Sequence, residues 1–361
     1  MWPDSRLLDL FGVELPIIQA PMAGASGSEM AIAVSEAGGL GSLPCAMLDV
    51  ARARAEIAGI RQRTSQPLNI NFFCNAPPKP DPDRDAQWKK VLASYYLELG
   101  LDMPATAPAS SRAPFDASKC EIIEEFKPEV VSFHFGLPEK ALLSRVKDAG
   151  CLVISSATTV EEAQWLEQHG CDAIIAQGNE AGGHRGMFLS TDIATQPGTF
   201  ALIPQIVDAV SVPVIGAGGI ADGRGIAAAF ALGAAGVQIG TAFLFTPESL
   251  ITDLHRSALR AARDDQTALT NVFSGKPARG LMNRVMREVG PMSDHTPAFP
   301  TAGGALAPLK AQSEALGNSD FSSLWSGQAA SLASEKAAGE LTRQLAGDAQ
   351  ALFKALASTG Q

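Results

Sequence analysis

The chain is short of charged residues, of paired cysteines and of long apolar runs, and each shortage excludes a class of protein. Only 18% of the 361 residues are charged, below the quarter or so that soluble domains usually carry, while 46% are hydrophobic. No apolar segment reaches the ~18 uncharged residues that a membrane-spanning helix needs. The net charge is -10 without any basic cluster, so neither nucleic acid nor a membrane is an expected partner.

The cysteines indicate neither a disulfide framework nor a metal site. The five are scattered and form no C-x-x-C pair, which favours small buried side chains in a reducing compartment. The first residues have no basic stretch followed by an apolar run, so we expect no signal peptide and a cytoplasmic location. The cysteines are Cys45, Cys74, Cys120, Cys151 and Cys171.

Eight short apolar runs alternate with longer amphipathic segments. Each run is nearly free of charge and too short for a helix, which is typical of strands buried on both faces of a parallel sheet. Several amphipathic segments end in glycine just before the next run, as helices do where the chain needs a left-handed residue. This rhythm predicts an α/β protein built on a (β/α)8 TIM barrel. The runs cover residues 16–19, 40–43, 68–73, 130–133, 152–155, 173–177, 213–215 and 237–239.

Two segments interrupt this rhythm. Residues 74–115 are rich in Pro, Asp and Ala and contain one predicted helix over 85–99, so we interpret them as an insertion after the third strand. The barrel itself is predicted to span residues 1–245. Residues 246–361 are predicted to form a mostly helical region, with a final helix over 327–356, that packs on the barrel and closes the site.

Active sites of such barrels are built from the loops that follow the strands. After the first run, the small residues of 19–24 either let the backbone approach a flat ligand or form an ordinary turn. In the third run, Asn69 and Asn71 alternate with apolar residues and therefore point to one face. Two amides directed into a barrel need partners, and a polar ligand is favoured over a hydrogen-bonded core network.

The loop after the sixth run is dense in polar and small residues. It reads Q-G-N-E-A-G-G-H over 177–184, with an amide at the strand end, two glycines and then an imidazole. This composition favours a ligand-binding loop over a flexible surface loop.

Glycines also follow the seventh and eighth runs, where barrels commonly bind a phosphate with loop amides and a helix N-terminus. Spacing over 216–221 also fits a loose dinucleotide fingerprint, but no acidic residue stands near the end of the next strand, so the phosphate interpretation is favoured. The residues are Gly216, Gly218 and Gly219 at the seventh run and Gln238, Gly240 and Thr241 at the eighth.

Of the five histidines, only two are predicted to enter the mouth of the barrel: His134 after the fourth run and His184 after the sixth. His169 lies in the last turn of a predicted helix, where a cation suits the helix dipole. His255 is predicted on an outer helix and His295 in the C-terminal region.

Together these segments resemble the nitronate monooxygenases, formerly called 2-nitropropane dioxygenases. The E-A-G-G-H loop and the later Q-I-G-T are specific in combination, although each alone is weak. Two further segments, F-H-F-G at 133–136 and L-W-S-G-Q-A at 324–329, resemble the bacterial class I branch. The other segments that carry the resemblance are 19–24, 69–73, 176–184, 216–222 and 238–241.

The resemblance implies a non-covalently bound FMN whose phosphate lies on the loops after the seventh and eighth strands. By position, Asn71 and Gln177 would contact the isoalloxazine or the ribityl chain. His184 would lie beside the flavin as the catalytic residue, with His134 as a second candidate. The expected cofactor contacts are Ala20, Pro21, Met22, Ala23, Asn69, Asn71, Gln177, Gly182, Gly183, Gly216, Gly218, Gly219, Gln238, Gly240 and Thr241.

The implied activity is oxidation of alkyl nitronates, such as propionate 3-nitronate, by O2 to a carbonyl compound and nitrite or nitrate. A neutral nitroalkane would first lose its α-proton, a task that suits an imidazole. Phe299 stands where family members carry tyrosine, which removes a donor to the substrate. Two alternatives stay open: an NAD(P)H-dependent flavin reductase of enoyl thioesters or quinones, and a flavin-free barrel that binds a phosphorylated metabolite.

Overall fold

The structure, a computed structural model, describes residues 2–104 and 112–358 and confirms the predicted barrel. Each predicted run is a strand, with ends within two residues of those expected. Within the described residues the strands are β1 Ile17–Gln19, β2 Gly41–Pro44, β3 Leu68–Phe73, β4 Val130–His134, β5 Leu152–Ala157, β6 Ala173–Gln177, β7 Gly183–His184, β8 Val214–Ala217, β9 Gly236–Ile239, β10 Thr267–Thr270 and β11 Ala278–Leu281.

Eight of these strands are parallel and form the barrel. They are hydrogen-bonded in the order β1-β9-β8-β6-β5-β4-β3-β2, and a parallel bridge between Ile18 and Leu40 joins the two end strands. The seventh and eighth barrel strands are therefore β8 and β9, because β7 belongs to a separate sheet.

Helices connect the strands and cover the barrel. In the described residues no helix is both long and apolar enough to span a bilayer. In chain order the helices are α1 Arg6–Phe11, α2 Ser28–Glu36, α3 Val50–Arg61, α4 Pro82–Glu98, α5 Ala117–Phe126, α6 Lys140–Asp148, α7 Val160–Gln168, α8 Thr199–Val207, α9 Gly223–Ala231, α10 Thr241–Leu244, α11 Asp253–Arg260, α12 Arg284–Val289, α13 Gly303–Ala315 and α14 Ala338–Ser358.

The barrel strands are buried on both faces, which explains why their sequences are mostly apolar and lack Asp, Glu, Lys and Arg. In β6, Ile174 packs in the large cluster that includes the helix residue Ile203, whereas its neighbour Ile175 packs in a second, smaller cluster. That smaller cluster also takes in Leu7 and Phe11 of α1, so a helix ahead of the first strand contributes to the core of the barrel.

The C-terminal region is less helical than predicted. Strands β10 and β11 form an antiparallel hairpin, and β11 also pairs with β7, the strand that contains His184. The final helix begins at Ala338 rather than at Gly327, because the segment before it packs on the barrel loops. The Glu248 carboxylate accepts from the main-chain N–H of Ala338 at 3.0 Å and so supports the start of α14.

The insertion packs against the C-terminal region. Its helix α4 begins at Pro82, three residues earlier than predicted, because Asp81 accepts from the N–H of Arg84 and caps it. On the same helix, the Trp88 indole donates to the carbonyl of Ala302 at 3.0 Å, and further along the Tyr96 hydroxyl donates to the carbonyl of Ala305 at 2.6 Å. These contacts join two segments that lie about 200 residues apart in the chain.

Candidate active site

A cavity of about 470 Å3 opens at the carboxyl ends of the barrel strands. Its wall takes residues from or just after β1, β3, β4, β5, β6, β8 and β9, so the barrel brings together loops that are remote in sequence. The volume is in the range of small-molecule and cofactor sites. The C-terminal region and the insertion supply the rest of the wall.

Most of the residues expected at the site line this one cavity. Those that do are Ala20, Pro21, Met22, Ala23, Asn71, His134, Gln177, Gly182, Gly183, His184, Gly218, Gly219, Gln238, Gly240 and Thr241.

Asn69 and Gly216 do not line it. Asn69 lies one pleat deeper in the barrel, where its amide donates to the Ser42 hydroxyl at 2.9 Å. A Cβ at Gly216 would lie 2.8 Å from a methyl of Ile203 in α8, so this glycine permits close packing of helix on strand.

The loop after β8 presents main-chain groups to the cavity, but α9, the helix that follows this loop, does not. Gly218 and Gly219 both have positive φ, at 109° and 68°, which turns the chain sharply at this point. The Asp222 carboxylate already accepts from the N–H groups of Arg224 and Gly225, so the start of α9 is capped from within the protein. By contrast, α10, which begins at Thr241, has glycine at its N-cap and no side-chain cap among the described residues.

The N-terminus of a second helix near the cavity, α8, is also hydrogen-bonded to a side chain of the protein. The Glu180 carboxylate accepts from both the N–H and the hydroxyl of Thr199, each at 2.8 Å, at the start of α8. An anionic ligand is therefore left with the Gly218–Gly219 turn and the uncapped start of α10.

Three amide side chains face the cavity and differ in the hydrogen bonds that they make to the rest of the protein. Asn71 donates to the Ser132 hydroxyl at 3.0 Å. Gln177 donates to the carbonyl of His184 at 2.9 Å and accepts from the N–H of Gly186 at 2.7 Å, so it braces the loop that follows β6. The Oε1 atom of Gln238 is buried and finds no partner among the described residues. An orphaned buried acceptor is costly, and a ligand with hydroxyl or N–H donors removes that cost.

His184 lies in the aromatic part of the cavity. Its Nε2 is 2.8 Å from the hydroxyl oxygen of Ser274, and its Nδ1 has no hydrogen-bond partner among the described residues. The ring centroids of Phe299, Trp325 and Phe135 lie 5.4, 5.5 and 6.0 Å from that of His184. The imidazole is therefore half-buried among aromatic rings.

Both histidines of the barrel mouth are held neutral. Burial, followed by the positive charge of Arg112, lowers the pKa of His184 well below its ordinary value. Burial also lowers the pKa of His134 to about 4, although the bond from its ring to the carbonyl of His184 opposes the shift. A neutral imidazole with one unprotonated nitrogen is the form that accepts a proton.

Comparison with known proteins assigns this site to a family. The profile of the family described as nitronate monooxygenase matches residues 4–348. The chain belongs to the nitronate monooxygenase family. A nitronate monooxygenase of Pseudomonas aeruginosa is 42% identical over 342 residues, which cover 94% of this chain and 97% of that protein.

Solved structures agree with the assignment. A nitroalkane oxidase from Streptomyces ansochromogenes superposes with a TM-score of 0.88 at 38% identity, covering 98% of this chain and 100% of that one. FabK from Thermotoga maritima superposes with a TM-score of 0.72 at 28% identity, covering 98% of each chain. Membership of the nitronate monooxygenase family, which is flavin-dependent, makes the protein an oxidoreductase with a small-molecule substrate.

Several lining residues of this nitronate monooxygenase family member come from outside the barrel, and none of them was predicted as a site residue. Arg112 enters from the insertion, and Trp325 and Lys310 enter from the C-terminal region. His255 also lines the cavity, so the expectation that only His134 and His184 reach it is wrong. The error arose because the amphipathic pattern of α11 indicates a surface helix but does not show what covers its buried face.

Proposed function

We propose that the protein binds FMN in this cavity and uses O2 to oxidise alkyl nitronates, such as propionate 3-nitronate, to a carbonyl compound with release of nitrite or nitrate. The observation that carries the proposal is the state of His184, a neutral imidazole whose Nδ1 is unpartnered among the described residues and whose ring lines the cavity. Membership of the nitronate monooxygenase family supports the same reaction.

Two features of the cavity suit FMN. The Gly218–Gly219 turn and the N–H groups at Gly240 and Thr241 are suited to the phosphate, because the turn has positive φ and the start of α10 has no side-chain cap among the described residues. Gln238, with its orphaned acceptor, is suited to a hydroxyl or N–H of the cofactor. When bound, the flavin accepts electrons from the substrate and passes them to O2.

The charges of the lining favour an anionic substrate. The chain carries a net charge of -10, yet among the described residues the cavity wall has two cations, Arg112 and Lys310, and one carboxylate, Glu314. That carboxylate lies 3.8 Å from the Lys310 ammonium. Arg112 also acts electrostatically on His184, so its positive charge favours an anion near the imidazole.

The aromatic side chains limit the size of the substituent that the nitronate carries next to His184. Phe73, Phe135 and Phe299 form one buried cluster with Ala46 and exclude water from the side of the cavity next to His184. Phe299 offers no hydroxyl there, so selectivity among nitronates depends on shape and on the charge of Arg112. For a neutral nitroalkane, the Nδ1 atom of His184 takes the α-proton: the C–H bond breaks, an N–H bond forms, and the nitronate remains.

The proposal is tested on the purified holoprotein. Flavin released by denaturation is identified and counted, and the bound flavin is then mixed anaerobically with an alkyl nitronate or with NADPH. We expect one FMN per chain, whose visible absorbance is bleached rapidly by the nitronate and slowly by NADPH. Rapid bleaching by NADPH alone would instead indicate a flavin reductase of enoyl thioesters or quinones. Protein without any flavin would indicate a barrel that binds a phosphorylated metabolite.

A further inference from the structure

The loop at Ser274 lies against the ring of His184, although 90 residues separate them in the chain. Ser274 is only 1% exposed, and its hydroxyl oxygen makes three contacts. It lies 2.8 Å from Nε2 of His184, 3.2 Å from the carbonyl oxygen of Lys276 and 3.4 Å from the main-chain nitrogen of Lys276.

The backbone fixes this hydroxyl in place. Gly275 adopts φ 90° and donates its N–H to the carbonyl of Asn271 at 2.7 Å, which closes a tight turn around Ser274. Asn271 is itself held, because its side-chain oxygen accepts from the N–H of Ser293 at 2.9 Å. The serine is thus presented to the histidine by a rigid turn.

We infer that Ser274 selects the tautomer of His184 and so is a positioning residue for the proton transfer; the inference deepens the proposed function and rests on it. A serine hydroxyl has one hydrogen and accepts two more. The carbonyl of Lys276 accepts only, and no other donor to it occurs among the described residues, so it takes the serine hydrogen. The N–H of Lys276 and the Nε2–H of His184 then donate to the serine oxygen.

With the imidazole hydrogen on Nε2, all three contacts of the serine hydroxyl are hydrogen bonds. With the imidazole hydrogen on Nδ1, they are not. If the hydroxyl donated to Nε2 of His184, the half-buried carbonyl of Lys276 would lose its donor, and Nδ1 would carry the imidazole hydrogen. With the hydrogen on Nε2, the lone pair is on Nδ1, the nitrogen that has no hydrogen-bond partner among the described residues. When Nδ1 takes a proton from the substrate carbon, the ring becomes cationic and its Nε2–H donates more strongly to Ser274.

The tautomer is measured directly on holoprotein labelled with 15N-histidine. Long-range 1H–15N correlation identifies which ring nitrogen carries the hydrogen, and the spectrum of His184→Asn assigns the signals. We expect His184 to be protonated at Nε2 in the wild type, with a ring proton protected from exchange by its bond to Ser274. A hydrogen on Nδ1 would overturn the inference whatever the substrate of the enzyme, so this readout does not depend on activity.

Variants of Ser274 test its positioning role. Ser274→Ala is expected to expose the Nε2–H signal to exchange and to lower kcat/KM for a neutral nitroalkane about tenfold, the effect of one lost hydrogen bond, while that for the preformed nitronate changes little. Ser274→Thr keeps the hydroxyl and is expected to restore both. Unchanged exchange and unchanged nitroalkane turnover in Ser274→Ala would contradict the inference. Loss of exchange protection with unchanged turnover would keep the tautomer but remove His184 as the base of the proposed function.

Discussion

The Nε2 atom of His134 lies 3.2 Å from the carbonyl oxygen of His184, so one histidine of the site holds the main chain of the other. Because a carbonyl oxygen only accepts, the hydrogen of His134 is on Nε2, and its Nδ1 accepts from the Ser156 hydroxyl at 3.2 Å. Both ring nitrogens of His134 have hydrogen-bond partners in the protein, whereas Nδ1 of His184 has none among the described residues and is left for a ligand in the cavity. We therefore propose that His134 orients the loop after β6 and that His184 accepts the substrate proton.

Replacing His184 by asparagine tests this division of roles. We expect His184→Asn to retain FMN, because the residues suited to the phosphate lie at Gly218–Gly219 and Thr241. The variant is expected to lower kcat/KM for a neutral nitroalkane by ~10²-fold or more, as for a lost general base, and that for the preformed nitronate by less. Steady-state kinetics with both substrates measure the difference.

A control for this variant is His169→Asn. The His169 ring stacks on Trp165 at 3.8 Å on an exposed part of α7 and does not line the cavity, so both activities are expected to stay at wild-type values. Equal losses on both substrates in His184→Asn would assign His184 to anion binding or to O2 activation. No loss on either, with FMN retained, would remove it from the mechanism.

A negative charge in the turn after β8 is expected to expel the cofactor. Gly219→Asp places a carboxylate where the phosphate dianion is proposed to bind, and we expect folded protein that purifies largely without flavin. Gly219→Asn is the matched control, because asparagine has the same size and also tolerates the left-handed φ of 68°. Flavin content per chain is read from the absorbance spectrum; equal, full occupancy in both variants would place the phosphate elsewhere.

The amide of Gln177 is expected to affect both the loop and the cofactor. Gln177→Leu removes the partners of the His184 carbonyl and the Gly186 N–H, which lie 2.9 and 2.7 Å from the amide. We expect a loss of ~1–3 kcal/mol in the free energy of unfolding, together with weaker FMN binding or a shifted flavin potential. If stability falls while FMN affinity and potential are unchanged, the amide serves the loop alone.

The buried histidines predict how stability depends on pH. Burial lowers the pKa of His255 to about 4, against 6.5 for an unperturbed histidine. Between these pH values His255 is protonated in the unfolded chain and neutral in the folded chain. Stability is therefore expected to be full above pH ~6.5 and to fall as the pH drops towards 4, by roughly 1.4 kcal/mol per pH unit for each such histidine. His134 contributes in the same direction.

The contribution of His255 is isolated by His255→Gln. Glutamine keeps an N–H donor for the Trp325 carbonyl, which lies 3.1 Å from the His255 ring, but does not titrate. Denaturant unfolding at pH 6 and pH 5 is expected to show a shallower pH dependence in the variant, by about one proton. An identical slope in both proteins would mean that His255 is not held neutral by burial.

The sequence predicted the barrel well because barrel strands and helix ends each have a pattern within a few neighbouring residues. A strand such as β6 is buried on both faces and reads as a short, almost wholly apolar run, and glycine marks the end of several helices. The hairpin β10–β11 was missed, since Ala278–Leu281 contains an arginine and a glycine and does not alternate. Its pairing with β7 depends on tertiary contacts that no local pattern encodes.

The candidate site was predicted only where the chain contributes from strand ends. His184 and Gln177 follow β6 directly and were found by position alone. Ser274 and Arg112 reach the site from segments outside the barrel, and nothing in their neighbouring residues indicates a barrel mouth, whereas Trp325 lies in a segment that carried the resemblance without a role assigned to it. Asn69 was expected at the cavity on the basis of alternation, which predicts the face of a strand but not the depth along the barrel.

Oxygen consumption by the FMN-loaded protein is the most direct test of the central claim. With an alkyl nitronate or propionate 3-nitronate and without NADPH, we predict saturable O2 uptake far above the protein-free rate, with nitrite or nitrate formed in proportion to substrate. O2 uptake at the protein-free rate with every nitronate, while NADPH supports rapid reduction of a quinone or enoyl thioester, would contradict the account.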